Sequence, residues 1–240
     1  NEYRQVNENS TLIANMGYID GYKSSLEGSS KNSLSHIFAK YDSSINLNNF
    51  LTGGLNIFFE KTSNDTHLRV FDKYIKSLTS KSQKNLASGF TLNLDREEYD
   101  LSGGMTVYET LSGSSSDRYQ YVFPYYSFSK VLEYNKLDGT FSFSNGGSNS
   151  LSNTNTLESS ISNGLTYSSK NYFSDNGFQN NFGIHFNNPN VVRKNHPSFK
   201  SSVQSELMNI IEFNSSFPLI KLEDDAIFSS IIPKISFRMN

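Results

Sequence analysis

Apolar and polar residues alternate with a period of two through eleven short runs of this chain, and almost none of them has a helical alternative. The clearest run spans 178–187, where Phe178, Phe182, Ile184 and Phe186 share one face with Asn180. Gln179, Asn181, Gly183, His185 and Asn187 share the other. Successive side chains of a strand point to opposite faces, so the run predicts a strand with one apolar and one wet side. Further strands are predicted near 10–19, 33–41, 50–60, 85–95, 98–110, 119–130, 138–145, 156–167, 202–213 and 226–239.

Turn-forming stretches separate these runs: Glu27–Asn32, Gly113–Asp117, Asn145–Ser150 and Asn187–Asn190. Gly and Asn tolerate positive φ, and Ser and Asp bond back to nearby backbone. The connections are uneven. Asp95 to Glu98 suits a tight hairpin, whereas Thr62 to Gln83 is long and Lys-rich. Short turns at one end and long loops at the other fit an outer-membrane barrel. Pro124, Pro218 and Pro233 fall within or beside runs and predict edges, bulges or strand limits.

Composition narrows the fold class. Only 35% of residues are hydrophobic, yet 14% are aromatic, all Phe or Tyr. Disordered chains are poor in aromatics. A single apolar layer, rather than a full core, reconciles the two values. In 86–95, Leu86, Phe90, Leu92 and Leu94 lie opposite Ala87, Gly89, Thr91, Asn93 and Asp95. In 99–108, Tyr99, Leu101, Met105 and Val107 lie opposite Asp100, Ser102, Gly104, Thr106 and Tyr108.

The polar face carries small and amide side chains, which suits a solvated lumen better than a charged outer surface. Aromatics gather at run ends, at Phe58 and Phe59, Tyr119 to Tyr126, and Tyr172 and Phe173, as in an interfacial girdle. Their strand propensity is the simpler account of the same residues. The expectation is an all-β chain, an antiparallel transmembrane β-barrel wall of about eleven strands. A soluble sandwich or a repetitive adhesin sheet also alternates, and both remain rivals. Candidate lumen-facing residues are Asn56, Glu60, Asn93, Asp95, Asp100, Thr106, Glu158, Gln179, Asn181 and His185.

Twenty-one Lys and Arg against 23 Asp and Glu leave no basic stripe for nucleic acid. Cysteine is absent, which removes disulfides, thiolate metal sites and cysteine nucleophiles together. The chain opens at Asn1 in mid-pattern and stops inside the alternation 231–239, so it reads as an internal piece of a longer protein.

Two segments carry more than pattern. Ser63-Asn-Asp-Thr-His-Leu-Arg-Val-Phe-Asp-Lys-Tyr74 and Ser116-Asp-Arg-Tyr-Gln-Tyr-Val-Phe-Pro-Tyr125 each adjoin a two-faced run. With the opening Glu2-Tyr-Arg4 and the late Ser216-Phe-Pro-Leu219 and Ile232-Pro-Lys-Ile235, their order resembles the barrel of the LptD (organic-solvent-tolerance) family. That family assembles lipopolysaccharide in Gram-negative outer membranes.

The resemblance covers essentially the whole chain and implies one barrel domain over 1–240, with further strands and a periplasmic jelly-roll domain outside it. It implies outer-membrane localisation and lipopolysaccharide as cargo. The implied partners are the plug lipoprotein LptE, the periplasmic bridge proteins and membrane lipid. In the family lipopolysaccharide enters lipid at the seam between first and last strands, so interior strands such as these form wall rather than gate. Loop cations Lys61, Arg69, Lys73 and Lys76 would then lie near lipopolysaccharide phosphates, although ordinary solubilising charge is the simpler account.

Other chemistry finds little support. His36, His67, His185 and His196 show no metal-ligand spacing, and no Gly-x-Ser-x-Gly elbow occurs. Glu97–Glu98 and Asp224–Asp225 are adjacent in sequence and read as solvated loop charge. No enzyme and no cofactor are expected. A passive porin or fatty-acid channel is the alternative.

Overall fold

The structure, a computed structural model, describes residues 2–22, 32–47, 51–65, 67–70, 84–112, 117–134, 138–153, 155–223 and 226–239. Long strands dominate it. They are β1 (Glu2–Val6), β2 (Ser10–Tyr22), β3 (Asn32–Leu47), β4 (Leu51–Thr62), β5 (Asn85–Arg96), β6 (Tyr99–Thr110), β7 (Tyr119–Tyr134) and β8 (Gly139–Ser152). Then follow β9 (Thr156–Ser169), β10 (Tyr172–Phe173), β11 (Gln179–Lys194), β12 (Val203–Ser205) and β13 (Met208–Ser216). The last three are β14 (Leu219–Glu223), β15 (Ala226–Ile231) and β16 (Lys234–Met239). One helical turn, α1 (His67–Val70), follows β4.

The strands form an antiparallel meander because sequential runs have matching parity. Fourteen of them join one sheet in the order β1-β2-β3-β4-β5-β6-β7-β8-β9-β11-β13-β16, with β10 and β12 on β11. β14 and β15 pair separately as a hairpin. The sheet is not closed: β1 and β16 stand at the two ends of the strand order. The all-β antiparallel expectation therefore holds, and the run at 202–213 resolves into β12 and β13. The run at 226–239 breaks at Ile232 and Pro233 into β15 and β16.

Two predicted turns are strand instead. Asn145–Ser150 lies inside β8, and Asn187–Asn190 lies inside β11. The reason is cross-strand bonding by side chains that would otherwise fold back on their own backbone. Asn145 donates to Asn163 at 2.7 Å, and Ser148 and Ser160 share a bond of 3.1 Å. Ser162 donates to Asn187 at 3.1 Å, and Asn188 donates to the carbonyl of Glu206 at 2.7 Å. The β5–β6 turn at Glu97–Glu98 is tight, as its sequence predicts. The Gly113–Ser116 part of another predicted turn, Glu27–Lys31, and Asp224–Asp225 lie outside the described residues.

Contacts divide the chain into two units. The first comprises residues 1–127, 147–160 and 192–203; the second comprises 128–146, 161–191 and 204–240. In the first, a small core of Phe38, Leu68 and Leu86, flanked by Leu111, gathers where α1 packs on the sheet. In the second, Phe182 faces Phe213 and Ile184 faces Ile211 across β11 and β13. Phe213 in turn faces Phe237 on β16. Among the described residues the buried hydrophobics are Leu34, Phe38, Leu68, Leu86 and Tyr167, far fewer than the exposed ones. Burial runs opposite to that of a packed globule.

Candidate functional site

Register brings a polar knot together beneath α1. β2 and β3 pair Gly17 with His36 and Asn15 with Phe38, so Asn15 lies diagonally next to His36 on one face. His36 Nε2 is 2.8 Å from Asn15 Oδ1, and His36 Nδ1 is 2.8 Å from His67 Nε2. An amide oxygen only accepts, so His36 donates from Nε2 and accepts at Nδ1 from the His67 Nε2–H. The imidazole of His36 stacks on Phe38 with ring centroids 5.1 Å apart. Thr62 pairs with His36 across β3 and β4, and its buried hydroxyl has no hydrogen-bond partner among the described residues.

The close approach depends on Gly17. A Cβ there would stand 2.4 Å from His36 Cε1. His67 is only 2% exposed, and burial, with the neighbouring His36, holds its pKa down at about 4. His67 is therefore neutral near pH 7, as its place in the donor–acceptor chain requires.

A charged cluster adjoins the knot. Asp65 forms an ion pair with Arg118, whose guanidinium also reaches Glu109 at 3.5 Å and the Thr110 carbonyl at 3.1 Å. Lys61 donates to the same Glu109 at 2.6 Å and to the Tyr119 hydroxyl at 3.0 Å. Two cations and two carboxylates thus compensate one another around the start of the 63–84 segment. The arrangement anchors residues 63–65 and α1 to the sheet, with these rings and charges committed to one another.

The sequence-derived candidates distribute over the polar faces. Register places Asn56, Asn93, Asp95, Asp100 and Thr106 on one face in the first unit. Asn56 bonds Asp42, while Glu60 accepts from the Ala87 amide at 2.9 Å where the β4–β5 ladder ends. Asp95 and Asp100 face each other, exposed, near the tight turn. Glu158 pairs with Arg193 at 2.6 Å. In the second unit Gln179, Asn181 and His185 share a face of β11.

Asn181 accepts from Asn214 at 3.0 Å, and Asn214 accepts from Ser236 at 2.7 Å. His185 lies 3.3 Å from Thr166 and 3.5 Å from Glu212. Lys61 belongs to the charged cluster, Arg69 sits on α1, and Lys73 and Lys76 lie outside the described residues. Among the described residues no group of three or more His, Asp or Glu is placed to hold a metal ion.

The His36–His67–Asn15 knot escaped the sequence reading, which looked for metal spacings. A signal did exist: Asp65 and His67 belong to one of the two singled-out segments, and Arg118 to the other. No protein-family model matches this chain, and no curated protein matches it.

Proposed function

We propose that this chain is a stretch of wall from an outer-membrane β-barrel that delivers lipopolysaccharide to the outer leaflet. The observation that carries the reading is the uncovered apolar side of a one-layer sheet. Ile57, Phe59 and Phe90 in the first unit, and Phe182, Phe186, Ile211 and Phe213 in the second, are all exposed. Contiguous apolar surface of this extent marks a partner or a membrane. Lipid meets the need because the strands are long enough. β4 has 12 residues and β11 has 16, against roughly 9–11 for a membrane-crossing strand.

The opposite side is suited to water and sugar. Its amides, hydroxyls and carboxylates bond one another across neighbouring strands, as Asn181, Asn214 and Ser236 do. Such a face lets a carbohydrate headgroup pass while acyl chains stay with lipid. What favours lipopolysaccharide over a passive solute is the meeting of the two LptD-like segments through Asp65 and Arg118. In this reading LptE fills the lumen, the bridge proteins supply cargo from the periplasm, and no bond is made or broken.

Depletion of the intact gene tests the proposal. Lipopolysaccharide should disappear from the cell surface. Normal surface lipopolysaccharide after depletion would refute the transport role, and a concurrent loss of solute or fatty-acid uptake would point to a passive channel.

A further inference from the structure

In the second unit the apolar face is not flat. Phe141, Leu165, Tyr167, Phe182, Ile184 and Phe186 line an open trough of about 480 Å³, within the usual range for small-molecule sites. Its floor is Tyr167, whose ring packs against Phe141 at 4.7 Å and Phe182 at 5.6 Å between centroids. Tyr167 lies this low because Gly139 has no side chain. A Cβ there would come within 2.6 Å of the tyrosine ring and hydroxyl. The trough runs along β11 from Phe182 to Phe186, roughly 13 Å at the rise of a strand. That is a groove for an extended hydrocarbon chain.

Its mouth is charged. Asp138 lines it beside Tyr172, and Lys170 pairs with Asp138 at 2.6 Å while its ammonium lies 5.7 Å from the centre of the Tyr172 ring. Both side chains of the pair are about half exposed. Such a pair is weak in water and opens readily. We propose that this trough holds one acyl chain of phosphatidylethanolamine, with its phosphate on Lys170 and its ammonium on Asp138. The mouth offers one cation and one anion side by side, which matches a zwitterion carrying both. An anionic phosphatidylglycerol headgroup satisfies Lys170 but leaves Asp138 facing negative charge.

The inference rests on the apolar face being lipid-facing, and is independent of lipopolysaccharide as cargo. The test reconstitutes the intact protein that contains this chain into vesicles of equimolar phosphatidylethanolamine and phosphatidylglycerol. Flotation then reports membrane association, and native mass spectrometry after gentle detergent extraction reports retained lipid. One phosphatidylethanolamine per chain is expected, in at least tenfold preference over phosphatidylglycerol. Asp138→Asn should erase the preference, and Ile184→Trp should abolish retention with the circular dichroism spectrum unchanged.

A floating chain that retains both lipids equally, or an Ile184→Trp variant that retains as much as the parent, overturns the trough assignment alone. An intact protein that does not float overturns the lipid-facing reading and this inference with it. The lipid preference of the unmodified protein decides the matter even where a variant does not fold.

Discussion

Asp65 and Arg118, separated by 53 residues, form an ion pair that ties the segment after β4 to the start of β7. Arg118 is held on three sides, by Asp65, by Glu109 and by the Thr110 carbonyl, with its side chain 18% exposed. Truncating it takes the cation from Asp65 and leaves Glu109 to Lys61 alone. Arg118→Ala should destabilise the fold by about 2 kcal/mol, more than an ordinary surface pair. Chemical denaturation checks this, and a double-mutant cycle with Asp65→Ala should return a coupling of about 1 kcal/mol. Additive losses would show that the pair is incidental.

The buried His67 predicts a pH dependence with a definite sign. Its folded pKa, about 4, lies below the ordinary 6.5. Above pH 6.5 both folded and unfolded forms are neutral, and its burial costs nothing in protonation. As pH falls from 6.5 toward 4 the unfolded form takes the proton first, so stability drops by about 1.4 kcal/mol per pH unit. Below about 4 the loss levels off. Chemical denaturation followed from pH 8 to pH 4 should show this loss of stability across that window, and His67→Gln should flatten it.

Gly17 makes a packing prediction. A methyl group at this position meets the buried His36 ring, which cannot retreat without leaving Asn15 and His67. Gly17→Ala should cost about 1–3 kcal/mol, as overpacking does. Imidazole chemical shifts of both His36 and His67 should change together. A shift at neither ring would mean that the knot accommodates the methyl.

The two faces of β11 should respond differently to charge. Phe182 pairs with Phe213 on the apolar side, and Asn181 pairs with Asn214 on the polar side. Phe182→Arg should weaken membrane insertion by about 2–4 kcal/mol if the position lies near mid-bilayer, and less near an interface. Asn181→Arg should change it by less than a quarter of that. Equal effects in a vesicle-folding titration would contradict a one-sided contact with lipid.

Local alternation read most of the ladder because a strand's face is settled by parity alone. β2 to β9 and β11 each overlap a predicted run, with β3, β8 and β11 extending six or seven residues beyond theirs, and the tight turn at Glu97–Glu98 falls where its sequence places it. β1 was passed over because its Glu-Tyr-Arg-Gln-Val sequence gives no clean apolar period. Asn145–Ser150 and Asn187–Asn190 misled because their turn chemistry is taken up by partners on adjacent strands, which no local window contains. The knot at His36 needs the β2–β3 register and the return of α1 onto β3 at once. The Asp65–Arg118 pair was half legible: both segments stood out, but nothing local said that they meet.

The β14–β15 hairpin has a consequence for how this chain tolerates change. β13 pairs directly with β16, and the bond from the Phe217 amide to the Pro233 carbonyl, 3.1 Å long, closes the base of the intervening excursion. A one-residue slip anywhere in the ladder would turn every following side chain to the wrong face. Length added or removed above Phe217 and Pro233 never reaches the ladder, so parity downstream is insulated from it. The hairpin is a place where this sheet can vary in length, carry a tag or acquire an insertion, with Ile235, Phe237 and Met239 keeping their side.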